Sequence, residues 1–272
     1  DSLVGGTETA PPSTVAPTII PMITEITAST PADGADQFVK VVASGAVNVD
    51  IRTSNGAESS VKDAINDQIN RYVQVSEIKF KWSPGSGTLS AEIVYHDSDE
   101  IIFYLQGKRD TLSSDNQQTL FAAQTMYYQY VSSASTDLDK VKAIHDTIIN
   151  NTTYEYTGSR SHTAAAVFVD GKAVCDGYAK AFNLLSYMAG ISSMRITGYA
   201  GEDHAWNLVN VMGTWYHIDV TWDDPISTRP VLRYDYFLIS DSKISADHSW
   251  TKYSEIPSCP ENYYTDYASM VS

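Results

Sequence analysis

The chain has 272 residues, 43% of them hydrophobic and 19% charged, with a formal net charge of -15. That is enough chain for one large or two small globular domains, each with a real core. The acidity argues against nucleic acid, whose phosphates need basic patches, and against adhesion to an anionic membrane surface. No apolar run approaches the roughly 20 residues of a membrane span.

Residues 1 to about 36 read as a flexible tether. The stretch Gly5 to Thr14 is rich in Gly, Thr, Ser and Pro without a period, and Pro17, Pro21 and Pro31 continue it. Such a stretch suits the gap between an anchor and an exported domain, so an extracellular or cell-surface location is expected. The start at Asp1 rather than Met is expected of a piece of a longer gene product, with room for a removed signal peptide.

Residues 37–110 predict a small α+β unit. Val61, Ala64, Ile65, Ile69 and Tyr72 recur at helical spacing over Ser60 to Tyr72. Val75, Ile78, Phe80 and Trp82 alternate as in a strand, and Pro84-Gly85-Ser86-Gly87 is a turn. Leu89 to Tyr95 and Glu100 to Leu105 read as two further strands joined by a His96-Asp97-Ser98-Asp99 turn.

From 111 to 272 a second, larger unit is expected. It opens with two helices, Asp115 to Val131 and Thr136 to Asn150, the latter capped by Ser135 or Thr136. His145, beside Asp146, is read as a packing or capping residue of that helix rather than a catalytic base. The pairs Glu202-Asp203 and Asp223-Asp224 are read as solvated loop carboxylates, and Cys259 as structural.

The chemistry concentrates between Asp170 and Trp222. Asp176 to Ala189 is an amphipathic helix that ends at Gly190, so Cys175 stands at a helix start. Unpaired N–H groups and the helix dipole there favour a thiolate, and the same groups can stabilise an oxyanion. Asp203 to Val211 and Thr214 to Trp222 read as a hairpin around Met212-Gly213. A two-residue loop sets Val211 opposite Thr214, and by extension Trp206 opposite Asp219. His204 and Asp219 then lie diagonally on one face, about 7–8 Å apart at the backbone. The other face collects Ala205, Val209, Val211, Tyr216, Ile218 and Val220. A one-residue slip would separate the pair and spoil that apolar face. Cys175 as nucleophile, His204 as proton carrier and Asp219 as orienting carboxylate are therefore the candidate catalytic residues.

Three motifs carry a family resemblance over about Thr163 to Pro225. Val174-Cys175-Asp176-Gly177-Tyr178-Ala179, His204-Ala205-Trp206-Asn207 and Trp215 to Asp223 resemble the nucleophile, histidine and aspartate motifs of the transglutaminase-like superfamily, especially its bacterial members. Weaker likeness extends over Lys140 to Tyr154, and over Tyr234 to Phe237 and His248-Ser249-Trp250 as a closing segment. The resemblance implies an α+β, papain-like core with the Cys helix packed on an antiparallel sheet, and acyl transfer on protein or peptide amides through a thioester. It leaves the acceptor open, with hydrolysis somewhat favoured over crosslinking and cell-wall stem peptides among the substrates. It implies a second oxyanion donor upstream of the Cys, with Tyr154, Tyr156 and His162 in the right region. No cofactor and no metal are carried over, because the acidic stretches lack an EF-hand pattern. The alternative is a cell-surface binding or scaffold module that keeps the fold without the activity.

Overall fold

The protein is described by a computed structural model over residues 24–69, 74–225 and 231–264. Most of the expected tether (1–23) and the end of the first expected helix, Tyr72 included, lie outside these residues. Residues 24–36 do not belong to a tether. Glu25–Thr27 (β1) pairs in parallel with Asn48–Arg52 (β2), and Pro31–Ser44 (α1) is a helix. Thr30 accepts a hydrogen bond from the Asp33 amide as N-cap, and Pro31 fills the first helical position, where its missing N–H costs nothing.

The first layer continues with Glu58–Ile69 (α2), Val75–Ser83 (β3) and Thr88–Tyr95 (β4). Its sheet runs in the order β1-β2-β4-β3, with β4 antiparallel to both neighbours. Phe38, Val41 and Val42 of α1 and Val61 and Ile65 of α2 pack on the Val49, Ile51, Leu89, Ala91 and Ile93 face.

The predicted third strand is a helix, Asp97–Leu105 (α3). Ile-Ile-Phe-Tyr fits a strand by propensity, but Asp97, Asp99 and Glu100 fill the first turn, where the helix dipole favours acids. α3 lies where two cores meet: Phe103 packs into the first core and Ile101 into the second.

The second core holds Ser114–Met126 (α4), which runs on into a single π-type turn at Tyr127–Val131, and Asp137–Asn151 (α5). Two short parallel strands follow, Thr153–Tyr154 (β5) and Lys172–Ala173 (β6), then the helix Cys175–Ala189 (α6). Ser193–Tyr199 (β7), Asp203–Val211 (β8), Thr214–Ile218 (β9) and Phe237–Ile239 (β10) form an antiparallel sheet in the order β10-β9-β8-β7. A short helix, Asp241–Ile244 (α7), follows. The fold is α+β, with the nucleophile helix packed on an antiparallel sheet, as expected. Among the described residues no helix is long and apolar enough to cross a membrane.

Candidate active site

Each residue of the Cys175 motif has a task. Gly190 ends α6 in the left-handed conformation, as a C-cap glycine does. At the other end Val174 offers no side-chain cap, so the first-turn N–H groups are left for other acceptors. The Tyr154 side chain lies close enough to the Cys175 backbone to interact with it. Asp176 accepts from Arg195 Nη1 at 2.6 Å and from Lys180 Nζ at 2.7 Å, and Lys180 also reaches the His162 carbonyl. Burial opposes the Asp176 charge, but the two cations outweigh it and hold the carboxyl below its usual range. Gly177 sits under the Ser161 and Thr163 carbonyls, where a Cβ would stand 2.7 and 2.9 Å from the two oxygens. Tyr178 donates to Asp224 at 2.6 Å. Together these contacts seat the helix start against the loop before it, and Cys175 keeps partial exposure.

The hairpin has the predicted register. Met212 and Gly213 turn with φ of 52° and 91°, and pairing runs from Val211 opposite Thr214 to Asn207 opposite Ile218. It stops there: the Asp219 amide donates to Tyr236 O, and Thr221 to Asp224 turn instead of continuing the strand. Both faces of β8 are buried, not one. Asn207 fastens one face to α6 through the Ala179 carbonyl and the Asn183 side chain. Trp206 and Leu208 pack on the other side with Ile239, Ile244 and Cys259.

His204 and Asp219 meet at 2.6 Å, Nε2 to Oδ2. A carboxylate only accepts, so Nε2 carries the proton and Nδ1 is the nitrogen left for the thiol. Burial disfavours the imidazolium, yet hydrogen bonds and charge from Asp219 and then Cys175 outweigh it, and the His204 pKa is raised to about 10. Asp219 is fully buried, which opposes its charge, but His204 and His248 donate to Oδ2 and hold it below the usual carboxylate range. Oδ1 accepts from the Thr221 and Trp222 amides at 3.0 and 3.1 Å. The three sequence-predicted residues are thus brought together. The arrangement can deprotonate a thiol, hold the proton on an imidazole and return it to a leaving group.

The reading of Asp223-Asp224 as solvated carboxylates changes, while those of His145 as a packing residue and Cys259 as structural hold. Asp223 is no solvated carboxylate: it is buried, accepts from the Tyr236 amide and faces His145 Nε2 at 3.2 Å. Asp224 is taken by Tyr178. His145 is buried between Asp146 and Asp223 and stacks on Tyr234. Trp206 is core, whereas Trp222 is half-buried, 6.2 Å from the His204 ring. Of the three upstream donor candidates only Tyr154 reaches Cys175; Tyr156 is exposed and packs edge-on against His162. Cys259 is buried and unpaired, its thiol pushed up to about 12 by burial.

Among the described residues, two groups gather metal-ligand types, His204–Asp219–His248 and His217–Asp241–Cys259. Their hydrogen bonds assign both to proton networks. Trp206 Nε1 donates to His217 Nδ1 at 3.0 Å, so the His217 proton sits on Nε2 and is given to Asp241 at 2.8 Å. That nitrogen has no lone pair left for an ion. In the first group both Nε2 atoms are engaged with Asp219 Oδ2.

Human kyphoscoliosis peptidase is 31% identical over 139 residues, covering 42% of this chain and 21% of its own length; the mouse protein is 29% identical over the same span. The chain therefore spans about a fifth of these curated relatives. Among solved structures, a TGase shares 18% identity at a TM-score of 0.34, covering 64% of this chain and 51% of that one. A candidate cysteine protease from Cytophaga hutchinsonii shares 19% at 0.35, covering 53% and 61%. Residues 124–220 match the transglutaminase core profile, described as the transglutaminase-like superfamily. That segment runs from the end of α4 through the Cys175 helix to the His204–Asp219 hairpin, and over it the chain is similar to that superfamily.

Proposed function

We propose that the protein is a cysteine-dependent acyl-transfer enzyme acting on protein or peptide amides, with Cys175 as nucleophile, His204 as proton carrier and Asp219 as orienting residue. The observation that carries this reading is His204 itself, tied by Nε2 to a buried carboxylate and interacting with the thiol. Cys175 Sγ attacks the amide carbonyl, and the S–C bond forms as the thiol proton rests on His204. The C–N bond then breaks as His204 gives that proton to the leaving amine, leaving a thioester. Water, losing a proton to His204, attacks the thioester, releases the acid and restores the thiol. In this reading the first-turn α6 amides and the Tyr154 hydroxyl receive the oxyanion, a role supported by the lack of a side-chain cap and the nearness of Tyr154 to Cys175. Hydrolysis is the favoured outcome over amine transfer, and the peptidase name of the mammalian relatives supports it. An extracellular setting is proposed on the Thr/Pro-rich composition before residue 24.

The test is a panel of peptide amides, cell-wall stem peptides included, with and without a primary amine, followed by mass spectrometry. New termini or released ammonia that vanish in Cys175→Ser support hydrolysis. Amine incorporation makes the enzyme a crosslinker. No turnover, with a thiol indifferent to His204, leaves a binding module that keeps the fold.

A further inference from the structure

His248 lies 29 residues beyond Asp219 in sequence and has no part in the triad described above, yet it shares the triad's carboxylate oxygen. We propose that His248 is a positioning residue that fixes Asp219 and limits how tightly Asp219 binds the His204 proton. This rests on the Cys175–His204–Asp219 reading.

The geometry is specific. His248 Nε2 is 3.0 Å from Asp219 Oδ2, the same atom that His204 Nε2 contacts at 2.6 Å. His248 Nδ1 is 2.6 Å from Asp247 Oδ1. Carboxylates only accept, so both bonds are made together only by a ring protonated on both nitrogens. The side chain is fully buried, and its ring packs on Trp222 at 4.5 Å, Trp206 at 5.1 Å and Tyr236 at 5.4 Å. The titratable and charged groups around it are Asp219, Asp247, His204, Tyr236, whose hydroxyl donates to Asp247, and His217.

The backbone is held just as firmly. Tyr199 and Ser249 exchange both amide hydrogen bonds, at 2.8 and 2.9 Å, so the chain after His248 adds an edge to β7. Gly198 makes the approach possible, since a Cβ there would overlap the Ser249 carbonyl. His204 pairs with Gly198 across β7 and β8, so both imidazoles are hung from the same end of the sheet.

The consequence for the chemistry follows from charge sharing. The Thr221 and Trp222 amides take up Oδ1 of Asp219; on Oδ2 a lone donor would draw most of that oxygen's charge, and a second N–H divides it. Asp219 then keeps His204 oriented while leaving the imidazolium able to release its proton to a leaving amine.

The experiment measures the pH profile of Cys175 alkylation by iodoacetamide in wild type, His248→Phe, His248→Gln, Asp247→Asn and His204→Ala, each also followed by thermal unfolding. In His248→Phe the limb that depends on His204 is expected to move to higher pH by about half a unit to one unit, threefold to tenfold in the proton equilibrium. His248→Gln, which keeps an N–H donor, restores most of the wild-type profile. Asp247→Asn, a change at a part-exposed side chain that leaves the core intact, moves the limb the same way by less. Unfolding temperatures that fall while the limb stays fixed in all three variants overturn the proposal and leave His248 as packing. A wild-type profile that already matches His204→Ala overturns the triad reading, and the role of His248 with it.

Discussion

Gly177→Ala sets two known effects against each other at the nucleophile helix. Replacing a helical glycine by alanine ordinarily stabilises by about 1 kcal/mol through the unfolded chain and helix propensity. Here the new Cβ would stand 2.7 Å from Ser161 O, 2.9 Å from Thr163 O and 3.0 Å from Ala173 Cβ. Two of these neighbours are backbone oxygens, which cannot rotate away. Ser161 O also accepts from the Val174 amide, and the neighbouring His162 carbonyl receives Lys180. Overpacking costs roughly 1–3 kcal/mol, and each strained hydrogen bond about 1 kcal/mol. The clash wins, with a net loss of about 1–3 kcal/mol. At about 2–4 °C per kcal/mol for a chain of this class, the unfolding temperature should fall by ~3–10 °C. Because Cys175 is two residues away, its alkylation rate should fall as well. Calorimetry and iodoacetamide kinetics on the same samples read both. A variant that melts ~2–4 °C higher than wild type with unchanged alkylation would refute the close seating of α6 on the 161–163 loop.

Three further outcomes are expected. Asp99 is buried, which raises its pKa to about 7 although Arg195 and Lys180 oppose the rise. The folded state therefore holds a proton that the unfolded chain loses from about pH 4, and this contribution to stability falls as pH rises through that window. Asp99→Asn should flatten the urea-measured stability between pH 4.5 and 8; an unchanged slope contradicts it. Arg195→Met leaves the mostly buried Asp176 carboxylate with Lys180 but without its first cation, and should cost on the order of 2–4 kcal/mol in urea unfolding. Tyr154→Phe should lower kcat roughly 100-fold while leaving alkylation within a factor of a few, the signature of a lost oxyanion donor; equal losses in both would make Tyr154 structural.

Much of the site was legible in the sequence because its determinants are local. A two-residue turn at Met212-Gly213 fixes the β8–β9 register, and with it the neighbourhood of His204 and Asp219. Gly190 marks the end of α6 and so places Cys175 at its start. What stayed hidden depends on contacts remote in sequence. Nothing near Asp223 announces that His145, 78 residues earlier, will bury it. The second imidazole on Asp219 arrives from a segment with no period of its own. The helix α3 was masked by its β-branched and aromatic run, although its acidic first turn was visible. The Thr30-Pro31-Ala32-Asp33 start of α1 was likewise a readable cap, outweighed by the Pro-rich composition around it.

The central claim is that Cys175 and His204 act as a pair, and alkylation of Cys175 by iodoacetamide in wild type and His204→Ala tests it most directly. An unassisted thiol, with a pKa of about 8.5, is only about 1% thiolate at pH 6.5. The paired site predicts rapid reaction at that pH, slowed at least tenfold by His204→Ala, with the difference closing above about pH 9. Equal rates in the two proteins across the range would contradict it, and the core would then be a scaffold rather than an acyl-transfer site.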